Sequence, residues 1–143
     1  MRIKIKRFDK SFPLPEYKTE GAAGMDLYTR EDTTIKSHNF GKVPLNIAME
    51  IPKGTFVLLV ARSSTPKLGL ITANGVGIGD EDFSGDNDEY QFLVYNVTDE
   101  DVLVEKGSRI VQILILDIEK VEIEEVDKLA NEDRGGLGST GQK

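Results

Sequence analysis

Six acids crowd into the ten residues Asp80-Glu81-Asp82-Phe83-Ser84-Gly85-Asp86-Asn87-Asp88-Glu89. Carboxylates at that density offer oxygen ligation of a hard cation. Asp80, Asp82, Ser84 and Gly85 imitate the start of a calcium-binding loop, but the twelfth position is Gln91, where a bidentate Glu is needed. The preceding Asn74-Gly75-Val76-Gly77-Ile78-Gly79 is also too rich in glycine to be the entering helix. A solvated hairpin turn around Ser84-Gly85 is the simpler reading.

Two other segments suit an anion. In Arg62-Ser63-Ser64 a guanidinium, two hydroxyls and the free amides of a short helix start converge, which fits phosphate; a capped turn with an Arg ion pair fits equally well. Gly136-Leu137-Gly138-Ser139-Thr140-Gly141 matches the dinucleotide fingerprint letter for letter, but no helix follows it and no βαβ unit surrounds it. What survives is a Gly/Ser/Thr run whose backbone N–H groups can curl round an anion. Arg62, Arg109 and Arg134 each stand beside such segments, a placement that favours polyphosphate recognition in an acidic chain.

Other chemistries drop out by absence. With no Cys there are no disulfides, thiolate metal sites or Cys nucleophiles, and a single His38, in polar Lys36-Ser37-His38-Asn39, reads as a solvated loop residue. The net charge of −7 argues against a nucleic-acid surface but not against a small phosphorylated ligand. No apolar stretch reaches membrane-spanning length, and MRIKIKRFDK alternates charge with Ile, so a cytoplasmic protein with no membrane partner is expected.

The elements that must position these residues read as strands. β-type runs at Arg2–Phe8, Val43–Ile51, Thr55–Ala61, Tyr90–Val97, Arg109–Ile118 and Lys120–Val126, separated by Gly, Pro, Asn and Asp, predict an all-β fold within 143 residues. Arg109–Ile118 is apolar on both faces apart from Gln112, which predicts a central strand and a partner for that amide. One helical turn should start at Ser64-Thr65-Pro66 and stop at Gly69. Residues 130–143, with four Gly, read as a flexible tail on a domain of residues 1–129.

In order and spacing, five of these segments resemble the motifs of the homotrimeric dUTPase family. Ala23-Gly24-Met25-Asp26-Leu27 is similar to the first, Arg62-Ser63-Ser64 to Gly69 the second, and Asn74 to Gly85 the third. Lys106-Gly107-Ser108-Arg109-Ile110-Val111-Gln112 is similar to the fourth, and Arg134 with Gly135 to Gly141 the fifth. The resemblance implies a jelly-roll (β-clip) subunit, a homotrimer with shared sites, and Mg²⁺-assisted hydrolysis of dUTP to dUMP and pyrophosphate. It assigns Asp80 as the base that activates water against the α-phosphorus, and Asn74 with the backbone through Gly77 and Ile78 as readers of uracil. Phe83 would pack under the deoxyribose, while Arg62, Ser63, Ser64 and Gln112 would hold phosphate. Asp26 would contact the metal through water. Arg134, Leu137, Gly138, Ser139 and Thr140 would close over the substrate as a lid of residues 130–143.

The chain departs from the family pattern at named positions. Gly79 replaces an aliphatic residue before Asp80, Phe83 replaces Tyr, Ser108 replaces an acid, and Leu137 stands where a Phe stacks on uracil, leaving Tyr90 or Phe92 as substitutes. Two alternatives follow: a dUTPase-like trimer that senses nucleotide or binds a protein with little turnover, and the related dCTP deaminase. The deaminase needs a Glu where this chain has Tyr90, with Glu89 one residue early.

Overall fold

Thr55-Phe56-Val57-Leu58-Leu59-Val60-Ala61 alternates buried with half-buried residues and forms one strand over its whole length. The computed structural model, which describes residues 1–136 and 141, builds ten more strands around it. In chain order they are β1 (Lys4–Arg7), β2 (Met25–Leu27), β3 (Thr33–Ile35), β4 (Phe40–Pro44), β5 (Ile47–Glu50) and β6 (Thr55–Ala61), then β7 (Leu70–Thr72), β8 (Gly77–Gly79), β9 (Gln91–Asn96), β10 (Val102–Val104) and β11 (Val111–Asp117). All pairings are antiparallel. A four-stranded sheet runs β2-β11-β6-β8, a three-stranded one β4-β9-β7, and β1-β5 and β10-β3 add two ladders.

One apolar core joins the sheets, with Leu27, Ile35, Leu45, Leu70, Phe92 and Ile113 essentially sealed from solvent. The fold is therefore all-β, as expected. The sole helical element among the described residues is a 3₁₀ turn, Thr65–Leu68, ended by Gly69 in the left-handed region (φ 74°). Its start differs in one detail: Ser64 occupies the cap position without a side-chain bond, while Thr65 is buried and its hydroxyl donates to the Ile110 carbonyl. No helix among the described residues is long and apolar enough to cross a membrane.

Several elements depart from the sequence expectation. Val43–Ile51 is two strands rather than one, because buried Asn46 adopts φ 68° and turns the chain from the β4 sheet into the β1-β5 ladder. Its side chain holds Asp9 from both sides, accepting from the Asp9 N–H at 2.6 Å and donating to the Asp9 carbonyl at 3.0 Å. Lys120–Val126 forms no strand, and Val121 and Ile123 are 78% and 91% exposed. Alternation there supplies an apolar face but no ladder partner among the described residues. β11 is central between β2 and β6, yet its second half runs out to solvent at Leu116 and Asp117. His38 sits in an exposed left-handed turn (φ 50°) with Nε2 2.8 Å from Asp99 Oδ1, as a solvated loop residue should.

Candidate active site

β8 is only three residues long and glycine-rich because it is threaded between close neighbours. Gly77 faces Leu59 of β6, and a Cβ added to it would lie 3.1 Å from the Leu59 Cβ. Among the described residues only β6 pairs with it, so its other edge leaves backbone N–H and C=O groups unladdered there. Beside that edge opens a cavity of about 340 Å³ lined by Asn74, Gly77, Ile78, Asp80 and Phe83. Five residues singled out in the sequence therefore share one wall. Asn74 is exposed, and its carboxamide makes no hydrogen bond among the described residues.

The acidic segment sorts itself by partner. Glu81 accepts from the Gly54 N–H at 2.9 Å, Asp86 lies 3.5 Å from Lys6, and Asp88 caps the Gly85 N–H at 2.7 Å. Glu89 is held by Arg30 through both oxygens, at 2.8 and 3.0 Å, and also accepts from the Asn46 N–H. Of the segment's six acids only Asp80 and Asp82 have no ion pair or side-chain hydrogen bond among the described residues, and of these only Asp80 lines the cavity. The segment is not a hairpin, since β8 and β9 belong to different sheets; it is a crossover containing two tight turns, Asp80–Phe83 and Gly85–Asp88.

The aromatic residues divide as sharply. Phe83 is 39% exposed and open to a ligand, whereas Phe92 is fully buried and Tyr90 is 5% exposed. Neither buried ring offers a free face for stacking on a base in this conformation.

A second cluster forms where β2, β11 and β6 meet. Asp26 of β2, 13% exposed, takes Arg62 Nε at 3.1 Å on one oxygen and Arg109 Nη1 at 3.2 Å on the other. Two guanidiniums against one carboxylate leave a net positive charge, suited to a polyphosphate. Arg62 is further fixed by donating to the Arg109 carbonyl at 2.8 Å. Ser63 and Ser64 stand exposed beside it, and Gln112 is opposite Asp26 in the β2-β11 register, half-buried, with no side-chain hydrogen bond among the described residues. Arg109 was noted in the sequence only for its neighbours; its flanking Gly107-Ser108 turn was the available signal.

These two clusters do not share a cavity: the lining around Asp80 includes none of Asp26, Arg62, Ser63, Ser64 or Gln112. Register explains why. Gly79 is opposite Val57, so Asp80 stands near the start of β6, while Arg62 follows its last residue. Six residues of extended chain, from Phe56 at the level of Asp80 to Arg62, separate the two levels by roughly 20 Å. Arg62 also turns toward β2, across β11 and away from β8 at the opposite edge of the sheet. Arg134 is exposed and contributes to neither cluster; Leu137, Gly138, Ser139 and Thr140 lie outside the described residues.

As for metal, no group of three or more His, Cys, Asp or Glu among the described residues could cage an ion. Asp26, with a guanidinium on each oxygen, could meet one only through intervening water. That donor chemistry fits magnesium, which keeps its waters and prefers phosphate oxygens, rather than calcium or zinc.

Comparison with known proteins bears on the family and the fold. The dUTPase family model matches residues 10–141. The chain is 43% identical to the SPbeta prophage-derived deoxyuridine 5'-triphosphate nucleotidohydrolase of Bacillus subtilis (strain 168), with all of both chains covered. It is 36% identical to the deoxyuridine 5'-triphosphate nucleotidohydrolase of Hydrogenobaculum sp. (strain Y04AAS1), again over both full lengths. Among solved structures, a dUTPase from Streptococcus mutans superposes with a TM-score of 0.74 at 28% identity, covering 82% of this chain and 98% of that one. The dUTPase of Staphylococcus bacteriophage 80alpha gives 0.83 at 20% identity, covering 98% of each, a likeness of fold. With the family model spanning nearly its whole length and a relative this similar end to end, the chain belongs to the dUTPase family.

Proposed function

We propose that this chain hydrolyses dUTP to dUMP and pyrophosphate, with Asp80 as general base. The observation that carries the assignment is that Asp80 alone in the acidic segment both lines the cavity and keeps a carboxylate without a partner among the described residues. Water attacks the α-phosphorus as Asp80 takes its proton; a new P–O bond forms, the bond to the bridging α–β oxygen breaks, and pyrophosphate leaves. Asn74 and the unladdered backbone at Gly77 and Ile78 read the uracil edge, and Phe83 packs under the deoxyribose. Arg62, Ser63, Ser64 and Gln112 hold phosphate oxygens, with Arg134, Leu137, Gly138, Ser139 and Thr140 as the closing segment.

Magnesium completes this reading: when bound, it neutralises triphosphate charge, and Asp26 would orient its water shell. The roughly 20 Å of strand between the levels of Asp80 and Arg62 supports a homotrimer in which Asp80 of one copy meets Arg62 of another, because a triphosphate is shorter than that span. A cytoplasmic location belongs to the same reading. The deaminase alternative loses its acid, since both Glu89 oxygens are committed to Arg30.

Incubation with Mg²⁺ and each of dUTP, dCTP, dTTP and UTP, followed by chromatography, tests the proposal. Only dUTP should disappear, yielding dUMP and pyrophosphate. Formation of dUTP from dCTP would instead identify a deaminase, and dUTP binding without product would identify a nucleotide-sensing module.

A further inference from the structure

Tyr90 is the buried polar group to which the proposed reaction gives no role. Its backbone is clamped between β4 and β5: the N–H donates to the Ile47 carbonyl at 2.9 Å, and the carbonyl accepts from the Leu45 N–H at 3.0 Å. With Glu89 locked onto Arg30 just before it, the ring has a fixed root. The ring ends against Gly79. A Cβ built there would lie 2.4 Å from Tyr90 Oη and 2.6 Å from its Cε1, so the phenol occupies the room a side chain at position 79 would need. Phe83 then meets the same ring edge-on, with centroids 5.3 Å apart. Asp80 is thus bracketed, since the residue before it and the residue three after it both rest on Tyr90.

The hydroxyl is sealed from solvent and has no hydrogen-bond partner among the described residues. A buried donor without an acceptor is unfavourable, so an acceptor brought within reach of the hydroxyl by a bound nucleotide would be favoured. Burial, and then the charges of Asp80 and Asp88, push the phenol up to about 12, which keeps it protonated as a donor. Lys42 from β4 and the Arg30-paired Glu89 line the same cavity. Asp88 is already engaged with the Gly85 N–H, whereas the Asp80 carboxylate is free.

We propose that Tyr90 is a positioning residue for Asp80: its ring replaces the side chain that Gly79 lacks, and its hydroxyl donates to the Asp80 carboxylate, directly or through one water, when nucleotide is bound. The proposal rests on Asp80 being the base. One carboxylate oxygen fixed by Tyr90 would leave the other aimed at the attacking water. The resemblance to the family does not supply this role, because it follows from the pairing of Gly79 with Tyr90 in this chain.

Tyr90→Phe keeps the ring against Gly79 and removes only the oxygen. With Mg²⁺ and dUTP, kcat should fall about tenfold with KM within about twofold, the pattern of a lost transition-state interaction. The acid limb of the kcat profile should also move up by about half a pH unit, because removing a donor raises the pKa of the carboxylate it served. Melting should be no lower than in the parent, since no partner is lost in the ligand-free fold. An acid limb superimposed on the parent's overturns the proposal whatever kcat does. A crystal structure with a non-hydrolysable dUTP analogue adds a direct reading: Oη within about 3.2 Å of an Asp80 oxygen, or one water between them, is expected, and a wider gap overturns it. Asp80→Asn, run in parallel, separates the two ideas, because retained turnover in that variant would remove Asp80 as the base and leave Tyr90 nothing to position.

Discussion

Asp80→Asn is expected to lower kcat for dUTP by about 10³-fold while leaving affinity for a non-hydrolysable analogue within about threefold, the signature of a general base removed without loss of binding. Asn has the size of Asp but cannot take a proton at working pH. The substitution breaks no ion pair or side-chain hydrogen bond among the described residues, so melting should be unchanged. Single-turnover measurement together with calorimetric titration checks both halves. Activity within tenfold of the parent would assign the proton to another group, and Asp82 would be the next to test.

Arg62→Ala should lower kcat/KM by about 10²–10³-fold, the usual cost of deleting a preorganised donor to a charged oxygen. Arg62 is held at two points, on Asp26 at 3.1 Å and on the Arg109 carbonyl at 2.8 Å, so its guanidinium waits in place. Asp26 keeps its pairing with Arg109 at 3.2 Å after the change, which should limit the damage to folding. Arg62→Lys should recover only part of the loss, since an ammonium restores charge without the two-pronged geometry. Kinetics near the parent's would exclude Arg62 from phosphate binding.

The strands that the sequence revealed are the long ones. Thr55–Ala61 is readable to the residue because an uninterrupted run of mostly apolar and β-branched residues pairs along its whole length with β11, and Gly69 marks the end of the 3₁₀ turn because its left-handed backbone suits a residue without a side chain. β2, β3, β7, β8 and β10, three residues each, are too short for periodicity to register. The bend at Asn46 was hidden for another reason: its left-handed backbone is stabilised by Glu89 and Asp9, distant in sequence and adjacent only in space.

The candidate site shows the same division. Motif order located the residues, but it carried no information about which of six neighbouring acids would be neutralised by Arg30, Lys6 or a backbone amide. In the sequence Gly79 registers only as an aliphatic side chain missing before Asp80. In three dimensions Tyr90, eleven positions later, fills the vacant volume with its ring. The distance between the phosphate cluster and Asp80 was equally invisible, because it depends on the antiparallel register of β6 and β8 and on Arg62 turning toward β2.

In the proposed reading that distance is bridged by sharing the site between copies, and the two inactive variants test this together. Asp80→Asn and Arg62→Ala chains, unfolded, mixed in equal amounts and refolded, should regain about a quarter of parental activity, the fraction of sites that draw an intact Asp80 and an intact Arg62 from different copies of a randomly mixed trimer. Each variant refolded alone should stay inactive. A mixture no more active than its components would rule out sharing and show that each chain builds its whole site by itself.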